Sequence, residues 1–189
     1  SVFTKGEVED GDIGAIAYSP DGKNRAIVIV QPPTVGVRGN WVASVCLQDC
    51  DTQKLAEING GASSLENSLQ WSPDGKKLVW AIVIMDSGGG LETQLWIADL
   101  KTGSFKELGI LGKAVKNIYP PVWSPDGSLV AALKTELNRD RQQEEQNIFL
   151  FDAITGEEKQ LTNFTNYQLS HLQWLPGGKW LSFTLSKGD

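Results

Sequence analysis

The stretch "WSPDGKKLVWAIVIM" at residues 71–85 decides the fold, because the chain repeats it with small changes. Near copies begin at Tyr18 ("YSPDGKNRAIVIV"), Trp123 ("WSPDGSLVAAL") and Trp174 ("WLPGGKWLSFTL"). Each copy contains one aligned proline, and Pro20, Pro73, Pro125 and Pro176 are 53, 52 and 51 residues apart. A near-constant period of this length is typical of repeat proteins, in which each repeat is one small structural unit.

Each copy predicts a β-hairpin. Ser-Pro-Asp-Gly has serine at the first position of a type I turn, proline at the second and glycine at the last. An aromatic residue ends the strand before the turn, and an apolar run follows it. A third strand ending in Asp49, Asp99 or Asp152 and a short fourth strand complete the unit. No segment shows a 3.6-residue apolar period, so the sequence predicts an all-β chain of four-stranded antiparallel units with essentially no helix.

The runs after the turns are apolar at nearly every position, which indicates sheets covered on both faces. Tandem four-stranded sheets of this kind predict the blades of a β-propeller. The pattern W-S-P-D-G-K-x-L, followed by "LWIADL" and "KEL", resembles the repeats of the TolB-type β-propeller family. Similar repeats occur in the propeller domains of prolyl oligopeptidase-type serine peptidases. We expect the aligned aromatic residues to pack between blades: Tyr18, Trp71, Trp123 and Trp174.

The repeat predicts a single propeller region over residues 1–189. Its blades are expected at about 12–58, 66–110 and 116–162, with a partial blade at 168–187 and residues 1–4 as the tail of a preceding blade. Three complete blades and part of a fourth would leave apolar faces exposed, which is unfavourable. We therefore expect a segment of a larger propeller, of about six to eight blades. The alternative is that two copies associate to complete one ring.

Composition restricts the class of partner. The formal net charge is −6, and the chain contains no basic cluster, which argues against nucleic acid. The longest apolar run, residues 78–85, is too short to cross a membrane. Cys46 and Cys50 are four residues apart, too far along a strand for a disulfide, and are expected to be free thiols. They are also a poor zinc site, and we expect neither a metal nor a cofactor.

The connections differ in length at the two ends of the predicted sheets. The turns between first and second strands and between third and fourth strands are short. The connections between second and third strands are expected to be longer, at residues 31–40, 86–93 and 136–147. Those between blades are also long, and all of these connections lie at the opposite end. Recognition is expected there, since loops on a rigid scaffold commonly carry function. The alternative is that they are only spacers. Six residues in or beside these loops are the predicted protein contacts: Arg38, Trp41, Asp86, Arg139, Asp140 and Arg141.

Trp41 is the preferred hot spot for protein binding, because it is an aromatic residue beside a long loop.

The sequence contains few candidates for catalytic residues. The single histidine, His171, is expected to be a packed or hydrogen-bonded core residue. No G-x-S-x-G motif occurs, since "GASSL" lacks the last glycine. The acidic stretch around Asp10 and Asp12 lacks the later ligands of a calcium loop.

Two functions remain open at this stage. The resemblance implies a non-catalytic scaffold that binds a protein through its loop-rich end. The alternative is the substrate-gating propeller of a prolyl oligopeptidase-like serine peptidase whose catalytic domain lies outside this chain. The resemblance also implies export to the periplasm or cell envelope, although the cytoplasm stays open.

Overall fold

The computed structural model describes residues 12–31, 40–46, 52–59, 68–85, 88, 90–113, 119–138 and 143–187, and the structural statements below concern these residues. Their regular elements are all β-strands. Blade 1 contains β1 (Asp12–Tyr18), β2 (Arg25–Gln31), β3 (Asn40–Cys46) and β4 (Thr52–Asn59). Blade 2 contains β5 (Gln70–Trp71), β6 (Lys77–Met85), β7 (Leu91–Asp99) and β8 (Ser104–Lys113). Blade 3 contains β9 (Val122–Trp123), β10 (Leu129–Asn138), β11 (Gln143–Asp152) and β12 (Glu158–Gln160), and the last sheet pairs β13 (Tyr167–Trp174) with β14 (Leu181–Lys187).

Each of the first three sheets has four antiparallel strands in sequence order. This is the meander that repeated hairpins build, and it confirms the predicted all-β fold class. Cys46 is the last residue of β3, whereas Cys50 and the predicted tail at 1–4 lie outside the described residues.

The Ser-Pro-Asp-Gly turns have the predicted geometry. The glycine N–H donates to the serine carbonyl in all three turns, at 2.8 Å for Gly22 and 2.9 Å for Gly75 and Gly127. These glycines have φ of 72°, 68° and 72°, a conformation that other residues rarely adopt. Within each turn, the serine hydroxyl also donates to the aspartate carboxylate, at 2.6 to 2.7 Å. The fourth turn, "LPGG", keeps the backbone bond, from Gly178 N to Leu175 O at 3.1 Å.

Three apolar cores lie between consecutive blades. The strands after the turns contribute to cores on both faces: Leu78, Trp80 and Ile82 pack toward blade 1, and Val79 and Ala81 pack toward blade 3. A third core lies between blade 3 and the last sheet and contains Ala131, Leu133, Ile148, Leu169 and Leu172. Because β6 and residues 130–133 of β10 are buried on both faces, these segments carry no polar alternation.

Indole hydrogen bonds link each blade to the one before it. Trp71 Nε1–H donates to the carbonyl of Ala17 at 3.0 Å, Trp123 donates to Gln70 at 3.3 Å, and Trp174 donates to Val122 at 3.3 Å. Every acceptor immediately precedes the aligned aromatic residue of the preceding blade. The prediction of inter-blade packing is confirmed for these three tryptophans. For Tyr18, which is 59% exposed, it stays a prediction, because the described residues include no preceding blade against which this side chain could pack.

The turns lie side by side along one end of the sheets. A Cβ built on Gly75 would be 3.7 Å from Pro20 Cδ, and one built on Gly127 would be 3.7 Å from Pro73 Cδ. Gly178 has the same relation to Pro125, at 3.4 Å. We call this end, with the short third-to-fourth strand turns, the turn rim. The opposite end, with the remaining connections, is the loop rim.

The loop-rim connections are shorter than the sequence suggested. The polar stretch from Glu136 to Asn147 was expected to be a loop, but β10 extends to Asn138 and β11 begins at Gln143. Only residues 139–142 connect the two strands. Similarly, β7 begins at Leu91, inside the stretch expected to connect β6 and β7. A solvent-exposed hairpin can continue its backbone hydrogen bonds without apolar residues. The polar sequence therefore led to the wrong predicted ends for β7, β10 and β11.

Candidate functional site

The predicted contact residues fall at the edge of the described structure. Trp41 lies in β3, where its Cα partners are Val30 and Ile58. The other five, Arg38, Asp86, Arg139, Asp140 and Arg141, lie outside the described residues. Their role in binding remains a prediction, and so does that of Trp41.

The described part of the loop rim contains a cleft between blades 2 and 3, which we call the loop-rim cleft. It has a volume of about 640 Å³, within the range typical of ligand sites. Blade 2 lines it with the end of β8, and blade 3 lines it with the ends of β10 and β11. Ile110 and Leu137, which are 38% and 60% exposed, give it apolar walls. Glu136 and Glu144 are its carboxylates.

Lys134 is fixed beside this cleft by three interactions. Its Nζ forms a salt bridge with Glu158, lies 3.4 Å from Glu136 Oε1 and lies 4.7 Å from the centroid of the Phe149 ring. The side chain of Lys134 is only 16% exposed. Two carboxylates and a ring face therefore compensate the ammonium in a partly desolvated place. Lys134 and Glu158 are 24 residues apart, which is why sequence patterns did not reveal the pair.

Buried polar side chains of β11 hold the connection to the last sheet. The Asn147 Oδ1 accepts from Thr162 Oγ1 at 3.0 Å and from the Phe164 N–H at 2.7 Å. Thr162 Oγ1 in turn accepts from the Ile148 N–H at 2.9 Å. Gln146 Oε1 accepts from the Leu169 N–H at 2.7 Å. This part of the loop rim is a fixed support, because its backbone groups are satisfied by side chains of the blade.

A row of hydrogen-bonded side chains also runs along β7 of blade 2. Trp96 Nε1–H donates to Gln94 Oε1, and Gln94 Nε2–H donates to Glu92 Oε1, both at 3.0 Å. Glu107 lies opposite Trp96 on β8. Partial desolvation raises the pKa of Glu107, and the negative charge of Glu92 raises it further. Sequence reasoning missed the proximity of Glu92 and Glu107, because these two acids lie on different strands, β7 and β8.

The single histidine does not have the predicted position. His171 is exposed, so the expectation of a core imidazole is wrong. The pairing of β13 with β14 shifts register between Ser170 and Gln173, and His171 has φ of 53°. This irregularity interrupts the alternation of the strand and turns the residue outward. Its Nδ1 lies 3.0 Å from Ser170 Oγ.

Among the described residues, no group of three or more His, Cys, Asp or Glu side chains is placed to hold a metal ion. Within the same residues, no helix is long and apolar enough to cross a membrane.

Comparison with known proteins identifies the architecture. No family model matches this sequence. The "Uncharacterized peptidase YuxL" of Bacillus subtilis (strain 168) is 26% identical over 121 residues, which are 64% of this chain and 17% of that protein. The crystal structure of TolB from Acinetobacter baumannii matches 86% of this chain and 36% of that chain, with 19% identity and a TM-score of 0.54. The β-propeller domain of the Trilobed protease from Pyrococcus furiosus matches 94% of this chain and 56% of that chain, with 15% identity and a TM-score of 0.51.

The fold is that of a TolB-type β-propeller. In this propeller, the three apolar cores are the contacts between successive blades, and the aligned tryptophans lie on the strand that begins each blade. The chain spans less than two thirds of the three proteins named above: 17% of the Bacillus relative, 36% of TolB and 56% of the protease propeller domain. A propeller of this type supports several functions, so function has to be argued from the rims.

Proposed function

We propose that this chain is the non-catalytic propeller region of a larger protein and that it binds polypeptide through its loop rim. The loop-rim cleft carries the proposal, because it exposes the aliphatic side chains of Ile110 and Leu137 beside the carboxylates of Glu136 and Glu144. The tight turns of the opposite rim bond their aspartates internally: Asp99 Oδ1 accepts from the N–H groups of Lys101 and Thr102, and Asp152 Oδ1 accepts from those of Ile154 and Thr155.

Polypeptide is the class of partner that this rim suits best. An extended peptide presents apolar side chains that can contact Ile110 and Leu137. Its backbone N–H groups and basic side chains can bind the carboxylates of Glu136 and Glu144. The acidic chain, with a net charge of −6, disfavours nucleic acid. The TolB-like fold supports a protein partner, although it identifies none.

Site-specific photo-crosslinking in the intact protein tests the proposal. A photoreactive amino acid is placed at Trp41 or Leu137 on the loop rim, or at Lys101 on the turn rim as the control. We expect crosslinks to a second polypeptide from the two loop-rim positions and none from Lys101. The proposal fails if only Lys101 crosslinks, or if all three positions crosslink equally.

A second candidate is the substrate-gating propeller of a serine peptidase. The Bacillus relative favours it, since its name describes a peptidase and the matched residues are 17% of its length. The similar propeller domain of the Pyrococcus protease supports it as well. In this case, the loop rim would admit peptides to a catalytic domain outside residues 1–189.

Two observations distinguish the candidates: the sequence that follows residue 189 in the gene, and covalent labelling of an active-site serine in the intact protein. A G-x-S-x-G motif after residue 189, followed by Asp and His, and covalent labelling of its serine by a fluorophosphonate would support the peptidase. Further SPDG repeats and no labelling would support the scaffold.

We also propose an envelope location, on the basis of the TolB likeness. Cell fractionation tests it, and recovery only in the cytosol would exclude it.

A further inference from the structure

The turn rim contains a second cleft, also between blades 2 and 3, which we call the turn-rim cleft. Its volume is about 450 Å³. Ile97 and Ala153, both 4% exposed, line it, as do Phe105 of blade 2 and Ile154 of blade 3, which are 39% and 74% exposed. The cleft thus combines a buried apolar lining with exposed apolar side chains, an arrangement typical of binding sites.

The fold does not require the apolar residue at position 154. The turn at residues 152–156 ("DAITG") has the same pattern as the turn at residues 99–103 ("DLKTG"), where Lys101 occupies the equivalent position. Both turns are held by the same bonds, from two backbone N–H groups to the first aspartate and from the glycine N–H to its carbonyl at 2.9 Å. Blade 2 forms this turn with a lysine. The isoleucine in blade 3 is therefore explained better by an interaction outside the blade.

The charges around this cleft favour an anionic group. Three charged side chains line it: Lys77, Lys106 and Asp99. Lys106 Nζ donates to the Ile154 carbonyl at 2.7 Å, which holds its ammonium at the junction of the two blades. The N–H groups of its own turn are the main cause that lowers the pKa of Asp99, and the charge of Lys77 contributes less. Asp99 is therefore ionised, and its Oδ1 already accepts two backbone N–H groups. Asp152, the other acid near Lys106, accepts two N–H groups in the same way.

We propose that the turn-rim cleft binds an extended peptide segment in which an apolar side chain is next to a carboxylate. The apolar side chain contacts Phe105 and Ile154, and the carboxylate meets Lys77 and Lys106. This site is separate from the loop rim, and it can exist whether or not the loop rim binds a polypeptide.

Methyl NMR of the intact protein with isotope-labelled isoleucine tests this proposal. The probe is an acetylated, amidated peptide, Gly-Leu-Phe-Asp-Glu, and the control is Gly-Leu-Phe-Lys-Lys. We expect the δ1 methyl signals of Ile97 and Ile154 to shift saturably with the acidic peptide, whereas the signal of Ile110, on the loop rim, stays in place. The lysine peptide should bind at least about fivefold more weakly, because its two ammonium groups are repelled by Lys77 and Lys106, which attract the carboxylates of the acidic peptide.

A matched pair of variants locates the site. Ile154→Thr removes most of the apolar side chain without adding a charge. Because Ile154 is 74% exposed, the melting temperature should be nearly unchanged, while binding of the acidic peptide, followed at Ile97, should fall about tenfold, as loss of an apolar contact predicts. Lys101→Thr changes the equivalent residue of blade 2, outside the cleft, and should leave binding unchanged. The proposal is overturned by equal affinity for both peptides, by full binding to Ile154→Thr, or by the lack of saturable shifts at millimolar peptide.

Discussion

At the residue scale, the Ser-Pro-Asp-Gly turn shows how four side chains and backbone groups determine a local structure. The serine is buried in all three turns, at 5%, 1% and 3% exposure for Ser19, Ser72 and Ser124. Its hydroxyl donates to the aspartate and accepts, at 2.9 Å, the N–H of the residue five positions later: Asn24, Lys77 or Leu129. The buried hydroxyl is thereby satisfied as donor and acceptor. This geometry could be predicted from the sequence because all of its partners are within five residues.

The same turn predicts an unusually acidic carboxyl group at Asp126. The Ser124 hydroxyl, followed by the N–H and hydroxyl of Ser128, lowers the pKa of Asp126 to about 2. This value is below that of the unfolded chain, about 3.9. The ionised group therefore stabilises the fold above the unfolded pKa, and its contribution is lost as the pH falls through about 2.

An NMR titration of the Asp126 carboxyl carbon measures this pKa. Replacement Ser124→Ala removes the main donor and should raise the pKa toward the usual range. The aspartates Asp21 and Asp74, which keep their own serines, serve as internal controls. A pKa near 4 in the unmodified protein, or no change in the variant, would contradict the assigned hydrogen bond.

At the element scale, the sequence predicted the strand type well and several strand ends poorly. The apolar runs of β6 and β10 identified buried strands, because both faces meet another blade. The outer half of the β10–β11 hairpin is polar, and its ladder continues to Asn138 and Gln143 without any apolar signal. The exposed His171 was misplaced because a register shift in β13 is not visible in a residue pattern. Contacts between different blades, such as that of Lys106 in β8 with Ile154 in the turn after β11, were also not visible in the sequence.

Gly109 of β8 permits a close contact between blades 2 and 3. A Cβ at this position would lie 2.5 Å from Phe151 Cε1, and Phe151 is fully buried in the second core. Gly109→Ala should therefore destabilise the protein by about 1–3 kcal/mol, as overpacking of a filled core does. Urea denaturation measures the change.

Phe151→Leu tests whether a clash with Phe151 causes the destabilisation by Gly109→Ala. This variant alone leaves a cavity, and with Gly109→Ala it provides room for the added methyl group. The double variant should be more stable than the sum of the two single effects predicts. Strictly additive effects would show that the alanine does not meet Phe151.

At the scale of the whole molecule, the blades are held by repeated contacts with the preceding blade. The aligned tryptophans, the Pro–Gly contacts between successive turns and the three apolar cores all recur with the same period. The regular period allowed the propeller architecture to be predicted from the sequence. The rim chemistry could not be predicted in the same way, since the two clefts are formed by residues that differ between blades.

Hydrogen exchange of the tryptophan indole N–H groups tests this stacking most directly. Trp71, Trp123 and Trp174 donate to the preceding blade and should exchange slowly. Trp180, which is 71% exposed, should exchange at the rate of a free indole. Slow exchange at the three aligned positions and fast exchange at Trp180 is the predicted result. Exchange of the three aligned indoles as fast as that of Trp180 would contradict the stacked arrangement.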